Sequence, residues 1–346
     1  VDHTKLKVLT YRWHVAHQAE LWKLGFEVYL WQNPPYTMDW DYSNRPLPPN
    51  VKPITSADLA HIKFDLAILH FDENILTPHK TDRALSDHWG APFDFLKSLS
   101  VPKVAICHGT PPLRGRFNPN YKEKVGYDEG DRKDMVDYVG DIPVVCNSHA
   151  AMKAWQFKNS RVIWHGVDPK DFPYADWRKN EILIVASNMS RRPWYQGYFM
   201  AKEAVGDLPT KLIGRDESAY FDTVTFPPTD GPLERFRAYV KELSSYLIMF
   251  NPTLYSPMPR SRLEAAMTGA CIVTTNHQDE DMWIDNGVNG FYSNDPEELN
   301  ATMQALLSDP AKAIEVGQRG RENCIERFHV NRYLDDWRHL IEEILG

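Results

Sequence analysis

The sequence predicts an α/β chain of two domains, each built on a parallel sheet. Three observations carry that prediction. The 346 residues are long for a single core and right for two domains of ordinary size. Short apolar, β-branched runs alternate with stretches of helical spacing in both halves. The pattern is clearest from Tyr246 to Asn276, where the runs Leu247 to Phe250 and Cys271 to Thr275 bracket a proline-bearing turn and a helical stretch, in the order strand, loop, helix, strand.

In chain order, Leu6 to Thr10 reads as the first strand, Ala16 to Leu24 as a helix stopped by Gly25, and Phe26 to Trp31 as the next strand. Asn33 to Pro53 is rich in Pro, Asn, Asp and aromatics and reads as a long loop. Phe64 to His70 and Pro102 to His108 are buried strands. Each ends in polar residues, His70-Phe71-Asp72-Glu73 and His108-Gly109-Thr110, as expected at a ligand-bearing carboxyl edge. Leu113 to Asp134 mixes Arg114, Arg116, Lys122, Lys124, Arg132 and Lys133 with Phe117, Tyr121 and Tyr127. Acids offset the charge, so a solvated loop is the plain reading and an acceptor-gripping loop the alternative. Ile142 to Ser148 is a strand, Ala150 to Phe157 a short helix, and Arg161 to Val167 a closing strand.

Pro169 to Asn180 reads as a hinge. Glu181 to Ser187 then opens a second sheet, continued by Thr210 to Gly214 and Leu247 to Phe250, with Leu233 to Leu243 helical between them. Pro296 to Leu307, Ala311 to Ile325 and Val330 to Leu345 follow as helices. The last has Tyr333, Leu334, Trp337, Leu340, Ile341 and Ile344 along one face, a core-packing stripe.

Composition narrows the class. Hydrophobic residues make up 42%, with no run long enough to span a bilayer, and no basic, apolar leader stands at Val1, so a cytoplasmic globular protein is expected. Cys107, Cys146, Cys271 and Cys324 lack metal-type spacing and are expected as buried reduced thiols. Residues 1–168 hold 20 Lys+Arg and 20 Asp+Glu, and the remainder 19 against 27, so the second half carries the whole net charge of −8. Neither half has the basic face that duplex binding needs, and nucleic acid is not supported as a partner. An acidic half that binds an anion must gather its few cations at the site. The arginines at 191, 192, 260 and 262 are such a gathering.

Loops that follow parallel strands lie where open α/β sheets hold ligands. In the central stretch, Ser261 with Glu264 three residues on has capping-box spacing, and a helix start there would offer backbone N–H groups to an anion. Arg260 and Arg262 flank it with guanidinium forks suited to phosphate oxygens. A capped surface helix with solvated arginines is the competing account.

The segment Arg260 to Thr275, followed by Asp285-Asn-Gly-Val-Asn-Gly-Phe291, resembles the donor site of retaining GT-B glycosyltransferases of family GT4 (glycosyl transferases group 1). Cys146-Asn-Ser and Val162-Ile-Trp-His-Gly-Val-Asp-Pro169 resemble the end of the first domain in that family, with His165 in place of the usual asparagine. The resemblance implies two Rossmann-like domains facing each other across a cleft: residues 1–168 on the acceptor side, residues 169–328 binding the nucleotide sugar, and a final helix, 329–346, crossing back to the first domain. It implies that Glu264 contacts the ribose, that Arg191, in a loop similar to Gly-Arg…Lys-Gly, neutralises the diphosphate, and that His108 lies against the transferred sugar. Catalysis is thus expected of His108, Arg191 and Glu264, and donor binding of Arg191, Arg192, Arg260, Ser261, Arg262 and Glu264. The chain departs from the family at Ser256, eight residues before Glu264, where a glutamate is usual. It departs again at Gln196, where lysine is usual, and at Trp13-His14-Val15-Ala16-His17, where the family has a Gly-Gly pair.

The function so implied is transfer of a sugar from a UDP- or GDP-linked donor to a glycan, lipid-linked, protein or small-molecule acceptor. Retention of configuration is expected, with neither metal nor cofactor; Asp39-Trp40-Asp41 lies in the proline-rich loop and is taken as coincidence. A sugar-nucleotide epimerase or phosphorylase on the same fold, and a non-catalytic nucleotide-sugar-binding protein, are the alternatives.

Overall fold

A computed structural model describes residues 5–76, 83–111 and 129–346. The chain forms two compact units, the first closing at His165 and taking back Asn331–Gly346, the second spanning Gly166–Val330.

The first unit holds a seven-stranded sheet of β1 (Lys7–Thr10), β2 (Glu27–Trp31), β3 (Val51–Ile54), β4 (Leu66–Phe71), β5 (Lys103–Cys107), β6 (Val144–Cys146) and β7 (Ser160–Val162), in the order β3-β2-β1-β4-β5-β6-β7. Every pairing is parallel. Parallel strands need crossovers that cover both faces, which is why β4 reads as an unbroken buried run. The helices here are α1 (Val15–Leu21), α2 (Arg83–Ser98), α3 (Glu129–Val139) and α4 (His149–Trp155).

Two features depart from the sequence reading. The stretch expected to be all loop contains β3, in which Val51 and Ile54 are buried while Lys52 and Pro53 are exposed. Proline, lacking an N–H, is tolerated there because β3 is an edge strand. Helix α2 was not legible because Gly90 and Pro92 interrupt its pattern, although Phe93 and Leu96 pack fully into the core. Most of the basic and aromatic segment after Pro112 lies outside the described residues.

The second unit repeats the plan. Strands β8 (Lys179–Ser187), β9 (Thr210–Arg215), β10 (Asp222–Thr223), β11 (Tyr246–Asn251), β12 (Cys271–Thr274) and β13 (Phe291–Tyr292) form a parallel sheet in the order β10-β9-β8-β11-β12-β13. Its helices are α5 (Pro193–Gln196), α6 (Tyr198–Val205), α7 (Pro232–Leu243), α8 (Arg260–Thr268), α9 (Pro296–Ser308) and α10 (Pro310–Phe328). The segment read as a hinge is tied down at its end: Arg178 donates to the carbonyls of Ser244, at 2.8 Å, and of Thr268.

The crossing segments run side by side, with Val167 N–H on Phe328 O at 2.8 Å and Val330 N–H on Val167 O at 3.1 Å. The last helix, α11 (Val330–Leu345), then packs in the first unit, as the apolar stripe requires. Tyr333, Trp337, Leu340 and Ile341 are buried, and Arg332 donates to the carbonyls of Trp164 and His165 at 2.8 and 2.9 Å. All four cysteines are buried and unbridged, and burial pushes the Cys271 and Cys324 thiols up to about 12.

Candidate active site

In the second sheet the strand order reverses between β8 and β11, so the loops that leave their carboxyl ends bound the crevice where such sheets bind ligands. One loop is Asn188–Arg192, which leads into α5, the other is Pro252–Pro259, and the second touches α5: Leu254 N–H donates to Tyr195 O at 3.1 Å. Gly197 explains how they come so close. It sits at φ +68°, and a Cβ there would lie 1.9 Å from the carbonyl oxygen of Pro252. Gly197→Ala is therefore expected to cost about 1–3 kcal/mol or more, since the left-handed backbone and the collision penalise the same side chain. Urea unfolding of the variant checks this.

Arg191 and Arg192, in the first of these loops, are both exposed. Arg191 Nε pairs with Glu217 at 2.6 Å, and the Arg192 guanidinium lies 4.1 Å from the ring centre of Tyr195. Exposed contacts of this kind are weak and readily exchanged for an incoming anion. Gln196, where a lysine was usual in the resembled family, turns its amide toward Ser187 O at 3.4 Å.

Glu264 is 2% exposed, one turn into α8. Its Oε2 accepts from Tyr239 OH at 2.8 Å and its Oε1 from Arg260 Nε at 3.2 Å. Arg260 is anchored in turn by donating to Gly166 O at 2.8 Å. A buried carboxylate held by two donors keeps its orientation and retains lone pairs for a further donor such as a hydroxyl.

Two expectations at this helix are corrected. Ser261 is not an N-cap: α8 begins at Arg260, its cap is Pro259, and no side chain caps it. The capping-box spacing misled because Glu264, the other half of the box, is turned to Arg260 and Tyr239. Arg262 does not face a ligand either. It is 1% exposed, paired with Glu280 Oε1 at 2.5 Å, bonded to Thr274 Oγ1 at 3.1 Å and stacked 5.4 Å from the centre of Trp283. Helical geometry decides this, because residues 260 and 262 point about 200° apart around the axis. Only Arg260 shares a face with Glu264. The sequence reading missed Glu280, whose Oε2 also accepts from the backbone N–H of His277 and Gln278 at 3.1 and 2.7 Å and so shapes the loop after β12. The run Asp279-Glu280-Asp281 was its only sequence signal.

His108 belongs to the first unit, at the carboxyl end of β5. It is 4% exposed and lies in a group of histidines. The Nε2 of His108 is 3.0 Å from His70 Nδ1, and its ring centre is 4.8 Å from that of His14 and 5.2 Å from that of His17. Trp13 stacks on it at 6.1 Å. The residues that replace the family's Gly-Gly pair thus build the wall around His108. His165 joins through His17, ring centres 4.9 Å apart, and Tyr333 shares a hydrogen bond with His17 Nε2 at 3.0 Å. Burial holds His108 well below the usual imidazole range and brings His70 to about 3, so both rings are neutral at physiological pH.

Comparison with known proteins agrees with this fold. Residues 201–339 match the family described as Glycosyl transferase-like. Among solved structures, HepE of Anabaena in complex with UDP and glucose superposes with a TM-score of 0.66 at 13% identity, over 98% of this chain and 100% of that one. Sucrose-phosphate synthase of Thermosynechococcus elongatus gives 0.66 at 15% identity, over 98% and 99%. A glycosyltransferase of Rickettsia africae gives 0.62 at 14%, over 99% of each chain. In sequence, alpha-maltose-1-phosphate synthase of Mycolicibacterium smegmatis is 29% identical over 111 residues, which are 30% of this chain and 27% of that protein. The fold is therefore the GT-B fold of those structures, two parallel-sheet units with a returning C-terminal helix. Within it the resemblance is to the group 1 glycosyl transferases, through the region from α6 to α11. Among the described residues no helix is long and apolar enough to cross a membrane.

Proposed function

We propose that this chain transfers a sugar from a nucleoside-diphosphate donor, UDP- or GDP-linked, to a hydroxyl-bearing acceptor. The observation that carries the reading is the arrangement at the switch point of the second sheet. There a buried carboxylate, Glu264, is oriented by Arg260 and Tyr239 on one side, and exposed Arg191 and Arg192 stand on the other. The carboxylate suits a ribose diol and the arginines suit a diphosphate. UDP in the HepE structure favours the uracil base as the first to test.

In this reaction the bond from the anomeric carbon to the β-phosphate oxygen breaks and a bond to the acceptor oxygen forms. The acceptor proton passes to the departing phosphate. Front-face attack on an ion-pair-like intermediate would retain configuration. Charge that develops on the leaving phosphate is met by Arg191 and Arg192, so the reading needs no divalent ion or other cofactor. Arg191→Ala is expected to lower kcat about 100-fold, in line with the loss of one fixed donor to a developing oxyanion. Glu217→Ala, which frees Arg191, should leave kcat unchanged or raised; steady-state release of nucleoside diphosphate measures both.

A thermal-shift panel of nucleoside diphosphates and their sugars tests the assignment, since a ligand at 100 times its Kd adds about 2.7 kcal/mol to stability. Stabilisation by one base, lost in Glu264→Ala, is the expected result. No response to any nucleotide would end the reading. Release of nucleoside diphosphate only when an acceptor is added would separate transfer from the epimerase and phosphorylase alternatives. Ser256 and Gln196, in place of glutamate and lysine, favour the second reading of a nucleotide-sugar-binding protein without turnover. That reading would show stabilisation and no release.

A further inference from the structure

Hydrogen bonds around His70 determine which nitrogen of His108 carries the proton. The chain of reasoning begins at Gln18, a buried residue of α1. Gln18 Oε1 accepts from Trp13 N–H at 2.8 Å, and its Nε2 donates to Tyr11 O at 2.9 Å. Turning the amide over would set donor against donor and oxygen against oxygen, so its orientation is fixed. The second amide hydrogen of Gln18 then meets His70 Nε2 at 3.1 Å. Thr10 Oγ1, also 3.1 Å from His70 Nε2, has a carbonyl of its own to serve, Ile68 O at 2.9 Å. His70 Nε2 is therefore an acceptor. Because this ring is neutral, its single proton sits on Nδ1, which faces His108 Nε2 at 3.0 Å. His108 Nε2 must accept, and the His108 proton is left on Nδ1, for which no described residue supplies an acceptor.

We infer that Gln18 and His70 form a hydrogen-bond relay that holds His108 as the neutral Nδ1–H tautomer, so that this ring presents a donor, and no base, at the carboxyl edge of the first sheet. In this relay Gln18 and His70 are positioning residues. Only the identity of the oxygen that receives the His108 proton, a hydroxyl of the transferred sugar, rests on the glycosyl-transfer reading. The titratable groups acting on His108 are His14, His17, His70 and His165, from α1 and its cap, β4 and the segment after β7, and each disfavours a charged His108. The lone pair of His108 Nε2 is spent on His70, which removes general-base catalysis from its repertoire. A hydrogen bond to a sugar oxygen is what remains.

The test is nitrogen NMR of the full chain labelled in its histidine rings, with the His108 signals assigned by their loss in His108→Gln. A protonated Nδ1, an unprotonated Nε2 and no titration between about pH 6 and 8 are expected. A His108 that carries its proton on Nε2, or that charges in this range, overturns the proposal. Gln18→Met removes the amide donor and should replace the single tautomer with an exchanging mixture. His70→Asn keeps an amide N–H near the place of the lost Nδ1–H and should preserve it. An unchanged His108 spectrum in folded Gln18→Met would also overturn the relay. If wild-type protein turns over no nucleotide sugar while the spectrum is as expected, the relay stands and the transfer reading fails.

Discussion

Glu264→Ala is expected to lower kcat/KM for transfer by about 100- to 1,000-fold, or ~3–4 kcal/mol of lost recognition. Two effects add. On the proposed reading the ribose loses a charged acceptor, and Arg260 and Tyr239 lose the group that orients them. Glu264→Gln separates the two, because an amide keeps the shape and one acceptor oxygen while giving up the charge. It should retain the fold and lose less activity. Binding of the nucleoside diphosphate, read by calorimetry, should weaken in the same order. An alanine variant as active as wild type would remove Glu264 from the site.

The second large effect is on stability. Arg262→Met is expected to cost about 3–5 kcal/mol, because it leaves Glu280 charged and buried without its cation. The double variant Arg262→Met/Glu280→Gln should recover part of that loss, since glutamine retains an acceptor for the His277 and Gln278 N–H groups and carries no charge. Denaturant unfolding of both variants measures the coupling. A single variant that loses less than about 1 kcal/mol would mean that the ion pair does not hold the loop after β12 in place. Direct phosphate recognition by Arg262, the expectation from sequence, predicts the opposite pattern of lost nucleotide affinity with intact stability.

The contrast between Arg260 and Arg262 shows where sequence reading reaches its end. Both arginines flank the same helix start, and both have the chemistry for a phosphate. Nothing in the one-dimensional pattern Arg-Ser-Arg-Leu-Glu states which face of the helix is covered. Packing of α8 beneath the loop after β12 sends Arg262 inward to Glu280 and leaves Arg260 beside Glu264. Glu280 was invisible for a related reason: its partner lies 18 residues away.

The histidines make the same point from the other direction. His14 and His17 were legible as departures from a glycine-bearing loop, and His70 and His108 as polar ends of apolar strands. Their convergence around one ring depends on β1, β4 and β5 being neighbours, which the sheet order supplies.

What the sequence by itself determined was the order of the central strands in both sheets and of most of the helices, the parallel character of the sheets and the edge at which polar residues gather. Apolar runs and their spacing encode local conformation and the side to be buried. Which polar side chains are spent on one another and which are left for a ligand was decided only by the tertiary structure. Hydrogen bonds and ion pairs act over a few ångströms, between residues that the chain separates by tens of positions.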